Sequence, residues 1–161
     1  DARGRLPADG AADAVHREQL DEELTLLAVG AITTIPIGVQ LFLRAARALA
    51  AEFAGREGFD GFILEEHHAA KRDAPSGTAR VLRERLRDAD TTRDYPITSV
   101  RAGVIPGTHA VSFDGPFETI TLRHTARSRD GFAAGALAAA EWLPGRAGVY
   151  SFESMLFGDP R

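Results

Sequence analysis

Apolar residues recur at three- and four-residue steps from Ile37 to Phe53. Val39, Leu41, Phe42, Ala45, Ala46, Leu49 and Phe53 form one stripe, which predicts a long helix with a packing face and no chemistry of its own. The next run, Phe59 to Leu64, is apolar and partly aromatic without that rhythm and reads as a strand. Beyond it, Val81, Leu82 and Leu86 alternate with charges, the pattern of an amphipathic helix reaching about Ala89, and polar residues to Pro96 read as a loop. Ile97–Gly103, Gly107–Asp114 and Phe117–Ala126 each alternate, with a turn signal at Asp114-Gly115-Pro116, and are predicted to be antiparallel strands. Parity puts Thr119, Thr121, Arg123 and Thr125 on one face of the last strand and Ile120, Leu122 and His124 on the other. Gly131–Leu143 is an Ala-rich helix small enough to pack closely on a sheet, and Gly148–Phe157 reads as a short strand and a helical turn.

Ahead of the long helix, Asp1–Asp13 has no periodicity and reads as a loose arm. Ala14–Leu24 reads as a charged helix and Leu24–Ala28 as a brief buried strand. The fold class that emerges is α+β, a mixed open sheet of about four strands with two apolar helices on one face. Val111, Phe113, Ile120 and Leu122 cannot all lie beneath two helices. The apolar sheet face left over is therefore predicted to be an association surface.

Composition narrows the function. The 161 residues suffice for one real core, and a net charge of −4 gives no basic footprint for nucleic acid. With no cysteine, disulfides and thiol chemistry are excluded, which fits a cytoplasmic setting. No apolar run reaches membrane-spanning length, and the first residue is Asp1, as in a piece of a longer protein.

The chemistry is concentrated in Glu65-Glu66-His67-His68-Ala69-Ala70-Lys71-Arg72-Asp73-Ala74-Pro75-Ser76-Gly77-Thr78-Ala79. Two carboxylates, two imidazoles and an ammonium lead into a small-residue turn that opens a helix. The first N–H groups of a helix have no internal partner and carry partial positive charge, so such a turn suits phosphate or carboxylate. Ser76 or Thr78 can cap it, Gly77 lets a ligand approach the backbone, and Lys71 can add charge or deliver a proton. His67 and His68 face opposite ways if the strand continues through them, so only one can share a wall with Lys71. A metal site at the His pair is not expected, because no cysteine or spaced third ligand accompanies it.

That stretch, E-x-H-H-x-x-K-x-D-A-P-S-G-T-A, resembles the signature of the dihydrodipicolinate reductases. Weaker likeness continues through R-x-G-x-x-x-G-x-H-x-V-x-F from Arg101, H-x-A-x-S-R from His124 to Arg129, then F-A-x-G-A and W-L, so that it spans about Ala31 to Leu156. The resemblance implies reduction of 4-hydroxy-tetrahydrodipicolinate to tetrahydrodipicolinate by NADH or NADPH in diaminopimelate and lysine biosynthesis. It implies His67 as the acid–base residue and Lys71 as proton donor. His68, Ser76, Gly77 and Thr78 would bind the substrate carboxylates, Arg129 would lie close by, and Thr34 would be a cofactor contact. It also implies a cytoplasmic homotetramer acting on a small cyclic dicarboxylate, without nucleic acid or membrane. Ala69 and Ala70 stand where the family often has Arg or Pro and then His or Asn, and Thr34 stands where it has Asn.

A nicotinamide-dependent reductase needs a Gly-rich turn between a first strand and helix. Gly4 and Gly10 are too far apart and follow no strand. Residues 1–30 are therefore expected to be a remnant of a dinucleotide-binding half, resembling its last helix and strand. Residues 31–161 are expected to be the substrate-binding and oligomerisation domain. The chain alone is then expected to be the catalytic half of the reductase, inactive without the other. The alternative is a non-catalytic dicarboxylate-binding or assembly protein that kept the fold.

Overall fold

A computed structural model describes residues 36–146 and 149–158. The expected N-terminal arm, helix and strand, and the cofactor contact at Thr34, lie outside the described residues. The chain divides into two compact units, one ending at Ala136 and one taking in the described residues from Leu137 on.

In the first unit, α1 (Ile37–Phe53) has the bounds its periodicity predicts, but its buried face is turned slightly. Val39, Gln40, Phe42, Leu43, Ala46, Ala50 and Phe53 are buried, while Leu41 and Ala45 are exposed. Leu43 and Ala50 complete the i, i+3, i+4, i+7 stripe that starts at Val39, whereas Leu41 sits a half-turn off it. β1 (Asp60–His67) follows and runs on through the carboxylates to the first histidine. α2 (Gly77–Ala89) is capped by Ser76, whose hydroxyl accepts from the Ala79 N–H at 3.2 Å, and it buries Ala79, Leu82 and Leu86.

β2 (Ile97–Arg101), β3 (Thr108–Asp114) and β4 (Thr119–Thr125) complete a sheet of order β2-β1-β3-β4. β3 is antiparallel to both β1 and β4. β2 instead runs parallel to β1, which corrects the expectation of three antiparallel strands. The cause is α2, which carries the chain back across the sheet so that β2 starts at the same end as β1. The sheet is mixed for that reason.

Its two helices, α1 and α2, pack on each other; α1 also reaches β4 and α2 lies on β1. Beneath them Ile63, Val111 and Phe113 are fully buried. The sheet's covered face therefore takes Val111, Phe113 and, partly, Leu122, leaving Ile120 at 43% exposure. The opposite face carries Phe62, Thr98, Thr119, Thr121 and Arg123, all exposed, and Arg123 pairs with Glu66 at 2.7 Å. The residues expected to form the association surface thus belong to the helix side, and the uncovered face is mostly polar.

The Ala-rich helix α3 (Asp130–Trp142) is not the second cover. Gly135 is its one buried residue among those described. The boundary between the units falls within it. In the second unit, residues 149–151 form no strand and lead into α4 (Phe152–Phe157), capped by Ser151. Trp142 packs edge-on against Tyr150 at 5.0 Å, with the Arg146 guanidinium 4.0 Å above its ring. No helix of the described residues is long and apolar enough to cross a membrane.

The loop after α2 locks the α1 and β1 ends together. Arg93 donates to the carbonyls of Phe53 (2.8 Å) and Phe59 (2.9 Å) and pairs with buried Asp90. Tyr95, fully buried at φ 51°, donates its hydroxyl to Asp90 at 2.9 Å. Burial alone would raise the Asp90 pKa, but hydrogen bonds from Thr92, Arg93 and Tyr95 outweigh it and bring the value to about 2. The Tyr95 ring fills the space beside Gly61: a Cβ there would stand 2.5 Å from Cε1 and 2.8 Å from Cδ1. Gly61→Ala should accordingly cost about 1–3 kcal/mol, the scale of overpacking a tight core. A urea unfolding midpoint equal to that of the parent chain would show that this contact is slack.

Candidate functional site

The covered face of the sheet changes character along its strands. One cross-strand row is Ile97, Ile63, Val111 and Leu122, the apolar row under the helices. Two residues further along, the same pairing aligns Ser99, Glu65, His109 and His124. Strand periodicity of two places them on the same side as the core row, and the ends of α1 and α2 border them. His67 comes next along β1, opposite Arg101.

Glu65 is completely buried and serves three partners. Its Oε1 accepts from Arg101 Nη2 at 2.6 Å and from the Ser76 backbone N–H at 3.3 Å. Its Oε2 lies 2.5 Å from His67 Nδ1, a close approach that is out of line for a directed hydrogen bond, so the attraction is chiefly electrostatic. Burial pushes the carboxyl pKa up, but hydrogen bonds from Arg101 and Ser99 and the charges of Arg101 and His67 outweigh it, leaving about 2. Glu65 is thus ionised at neutral pH. Arg101 also donates to the Asp73 carbonyl at 2.6 Å and so fastens the loop between β1 and α2.

His109, buried beside it, meets the Ser76 hydroxyl through Nε2 at 3.0 Å and stands edge-on to His67 with ring centroids 5.1 Å apart. Burial, then the neighbouring His67, lowers its pKa to about 4. His67 is lowered too, by burial first and by Lys71 and Arg101, against the opposing pull of Glu65. His124 is lowered by burial, and its ring packs 5.9 Å from Phe42.

These groups open on a cavity of about 330 Å³. Its wall includes His67, Thr78, Gly107, His109 and His124, the α1 start at Pro36, Gly38 and Val39, and the segment Thr125 to Ser128 with Phe132. Gly107 is fixed on two counts. Its φ is 150°, and a Cβ there would stand 3.2 Å from His67 Nε2. The two helix N-termini that border the cavity favour an anionic guest.

The expected site residues divide accordingly. His67 and Thr78 stand in the cavity wall. Ser76 stands behind it, engaged with Glu65, His109 and the Ala79 N–H. Gly77 is exposed, with open space where a side chain would be. His68 is half-buried outside the wall, just past the end of β1, where its carbonyl accepts from the Lys71 N–H in a turn. Lys71 pairs with Asp73 at 2.6 Å rather than pointing at a wall residue. Arg129 is exposed, and Arg127 and Ser128 take the place in the wall. Glu65, Arg101 and His109 were not singled out as site residues. The i, i+2 spacing of Glu65 and His67 was a readable signal; the pairing that brings His109 and Arg101 to them was not.

Glu65, His67 and His109 also bring one potential metal-ligand atom each within 4.8 Å of one another. Two ligands bound at about 2.0–2.1 Å to one tetrahedral ion stand roughly 3.3 Å apart. The 2.5 Å approach of Glu65 to His67 is too short for two ligands of one ion, and Arg101 already neutralises the carboxylate. Glu65 faces His67 and Arg101, while His109 meets the Ser76 hydroxyl.

Comparison with known proteins places the chain. The family described as dihydrodipicolinate reductase, C-terminus, matches residues 38–156. A 4-hydroxy-tetrahydrodipicolinate reductase of Myxococcus xanthus is 38% identical over 156 residues, which cover 85% of this chain and 57% of that protein. Another, from Methanopyrus kandleri, is 37% identical over 164 residues, covering 88% and 58%. The chain thus spans little more than half the length of these curated relatives. A solved dipicolinate-bound dihydrodipicolinate reductase from Paenisporosarcina sp. TG-14 shares the fold, with a TM-score of 0.65 at 23% identity over 78% of this chain and 52% of that one.

The buried neutral histidines make stability depend on pH. A His109 pKa of about 4, below the ordinary 6.5, means that the unfolded chain binds the proton first. Stability should be complete above about 6.5 and fall as pH drops towards 4. Urea midpoints measured between those values should show this slope, reduced in His109→Gln. An unchanged slope in the variant would place the titrating group elsewhere.

Proposed function

The chain belongs to the dihydrodipicolinate reductase family, matching its C-terminal part, and from that premise we propose that it is the substrate-binding half of a 4-hydroxy-tetrahydrodipicolinate reductase. The observation that carries the reading is the cavity itself. His67 and Thr78 of the family signature stand in one wall, beside two helix N-termini suited to carboxylates. The substrate would be a small cyclic dicarboxylate, of the kind the Paenisporosarcina reductase binds as dipicolinate.

One carboxylate would lie on the Gly77–Thr78 backbone, where no side chain blocks approach, supported by the Ser76 turn. Lys71 would turn from Asp73 towards that anion or deliver the proton, and His68 and Arg129 would close on the ligand from outside the wall. His67, neutral and on the cavity side of Glu65, would be the acid–base group. The net reaction replaces the substrate's 4-hydroxyl by hydrogen: one hydride and one proton enter and one water leaves. NADH or NADPH supplies the hydride when bound. The described residues fit that cofactor only in part. They carry no Gly-rich turn after a strand for its pyrophosphate, and offer only the Pro36–Val39 edge of the cavity, with Thr34 beyond the described residues. The family reaction would thus need a dinucleotide-binding half that these residues do not supply. A homotetramer in the cytoplasm, where reduced nicotinamide is available, completes the proposal.

The chain should bind pyridine-2,6-dicarboxylate without cofactor, measured by titration calorimetry. Lys71→Ala should weaken binding by about 1.5–3 kcal/mol, the scale of a charge-assisted hydrogen bond. Equal affinity in the variant would mean that Lys71 stays with Asp73 and takes no part.

Light scattering at tens of micromolar should report a tetramer; a monomer would remove the assembly from the proposal.

A further inference from the structure

Three buried contacts remain beyond the roles just given, and they converge on one atom pair. Glu65 Oε1 holds both Arg101 of β2 and the backbone N–H of Ser76 at the start of α2, while Oε2 faces His67 Nδ1. Ser76 is held a second time, through its hydroxyl, by His109 of β3. The proton-handling histidine and the ligand-binding turn therefore share one carboxylate.

We propose that Glu65, with Arg101 as its counter-ion, is a positioning residue that keeps the His67 proton on Nδ1 and sets the distance between His67 and the Ser76 turn. This deepens the reductase reading and rests on it only for what His67 does to a substrate.

The tautomer follows from the surroundings. An ionised carboxylate is an acceptor only, and at 2.5 Å a bare Nδ1 would set lone pair against lone pair. The ring nitrogen beside it therefore carries the hydrogen even though the approach is out of line. The other nitrogen, Nε2, lies beside Gly107 in the cavity wall and is left with its lone pair. A neutral ring in that state accepts a proton from the cavity side without turning. The charged and titratable groups around His67 are Glu65 on its own strand, Arg101 on β2, His109 on β3 and Lys71 in the following loop. Arg101 has a second effect. By neutralising Glu65 it limits how far the carboxylate can draw a second proton onto His67, so the ring stays neutral where burial already disfavours its charge. Carboxylates behind the ligating histidines fix their tautomers in the same way at metal centres; here the device acts on a free imidazole.

The same carboxylate also fixes geometry. Glu65 and His67 are two residues apart on one rigid strand. Ser76 is drawn to that strand by its N–H and to β3 by its hydroxyl, so the α2 start cannot shift without breaking a buried bond. Ligand anchor and proton acceptor are thereby held in register.

Long-range ¹H–¹⁵N spectra of the chain labelled at histidine test this, with His67 assigned by its loss in His67→Gln. The parent chain should show His67 protonated on Nδ1 and bare on Nε2. Glu65→Gln should mix the tautomers and lower the His67 titration midpoint; Arg101→Gln should keep the Nδ1 proton and raise the midpoint. These opposite directions are not what general loosening would give. An Nε2-protonated His67 in the parent chain, or a midpoint that moves the same way in both variants, overturns the proposal. If Glu65→Gln does not fold, the parent tautomer and Arg101→Gln decide it. Pyridine-2,6-dicarboxylate added to the same samples separates the two readings. No binding with the expected tautomer removes the reductase reading and leaves the positioning role intact. Binding with the other tautomer does the reverse.

Discussion

An ionised carboxylate with no exposed surface must be met on every side, because burying an unpaired charge costs far more than a domain can spare. Glu65 is such a group, and its partners come from three different parts of the chain: Arg101, the Ser76 N–H and His67. Satisfying it therefore requires β2 beside β1, and the start of α2 folded back over the strand end. A β2 paired the other way would carry Arg101 to the opposite end of the sheet. Replacing Glu65 alone would strand the largely buried Arg101 and cost stability, whereas replacing the Glu65–Arg101 pair together by apolar residues of similar size could hold the sheet. Either change would free His67 and the ligand turn from each other. Here the buried charge serves the site more than the fold.

One sheet face supports both roles by dividing along its length. The row through Ile63 and Val111 is the core, and the row through Glu65 and His109 is the site, two residues on. That step, about 7 Å at the usual strand rise, is short enough for the rigidity of the packed core to reach the polar groups. The loop from Asp90 to Tyr95 adds to it by tying the end of α1 to the start of β1 through Arg93. The site thus stands on strands and helix starts, and the loops around it, with Lys71 and Arg129, carry the side chains free to move onto a ligand.

Much of this was legible in the residues. The 3.6-residue stripe gave the bounds of α1, and the strand ahead of the paired histidines, the Ser76 turn and the parity of Ile120, Leu122 and His124 all read directly from local pattern. Stripe membership was harder. Leu41 and Leu43 are equally apolar, and only the packing against α2 and β4 selects between them. Strand direction was not legible either, since Ile97–Arg101 alternates alike whether parallel or antiparallel, and direction is set by the helix before it. The same limit hid Arg101 and His109: their closeness to Glu65 depends on register between strands distant in sequence, which no local spacing encodes. The expectation that Val111, Phe113, Ile120 and Leu122 leave an apolar face uncovered failed for a related reason. Val111 and Phe113 have the right parity for an apolar face, but parity alone does not say which face the helices cover.

The arrangement of the site depends on Glu65 being charged while buried. Its carboxyl carbon can be followed directly by ¹³C NMR as the pH is lowered. With Arg101 and Ser99 hydrogen-bonded to it and a pKa of about 2, the Glu65 signal should stay flat from pH 7 to below pH 3.5 while exposed glutamates titrate. A Glu65 midpoint at or above the ordinary 4.5 would mean that the carboxylate is not the anchor of the site, and the arrangement built on it would have to be abandoned.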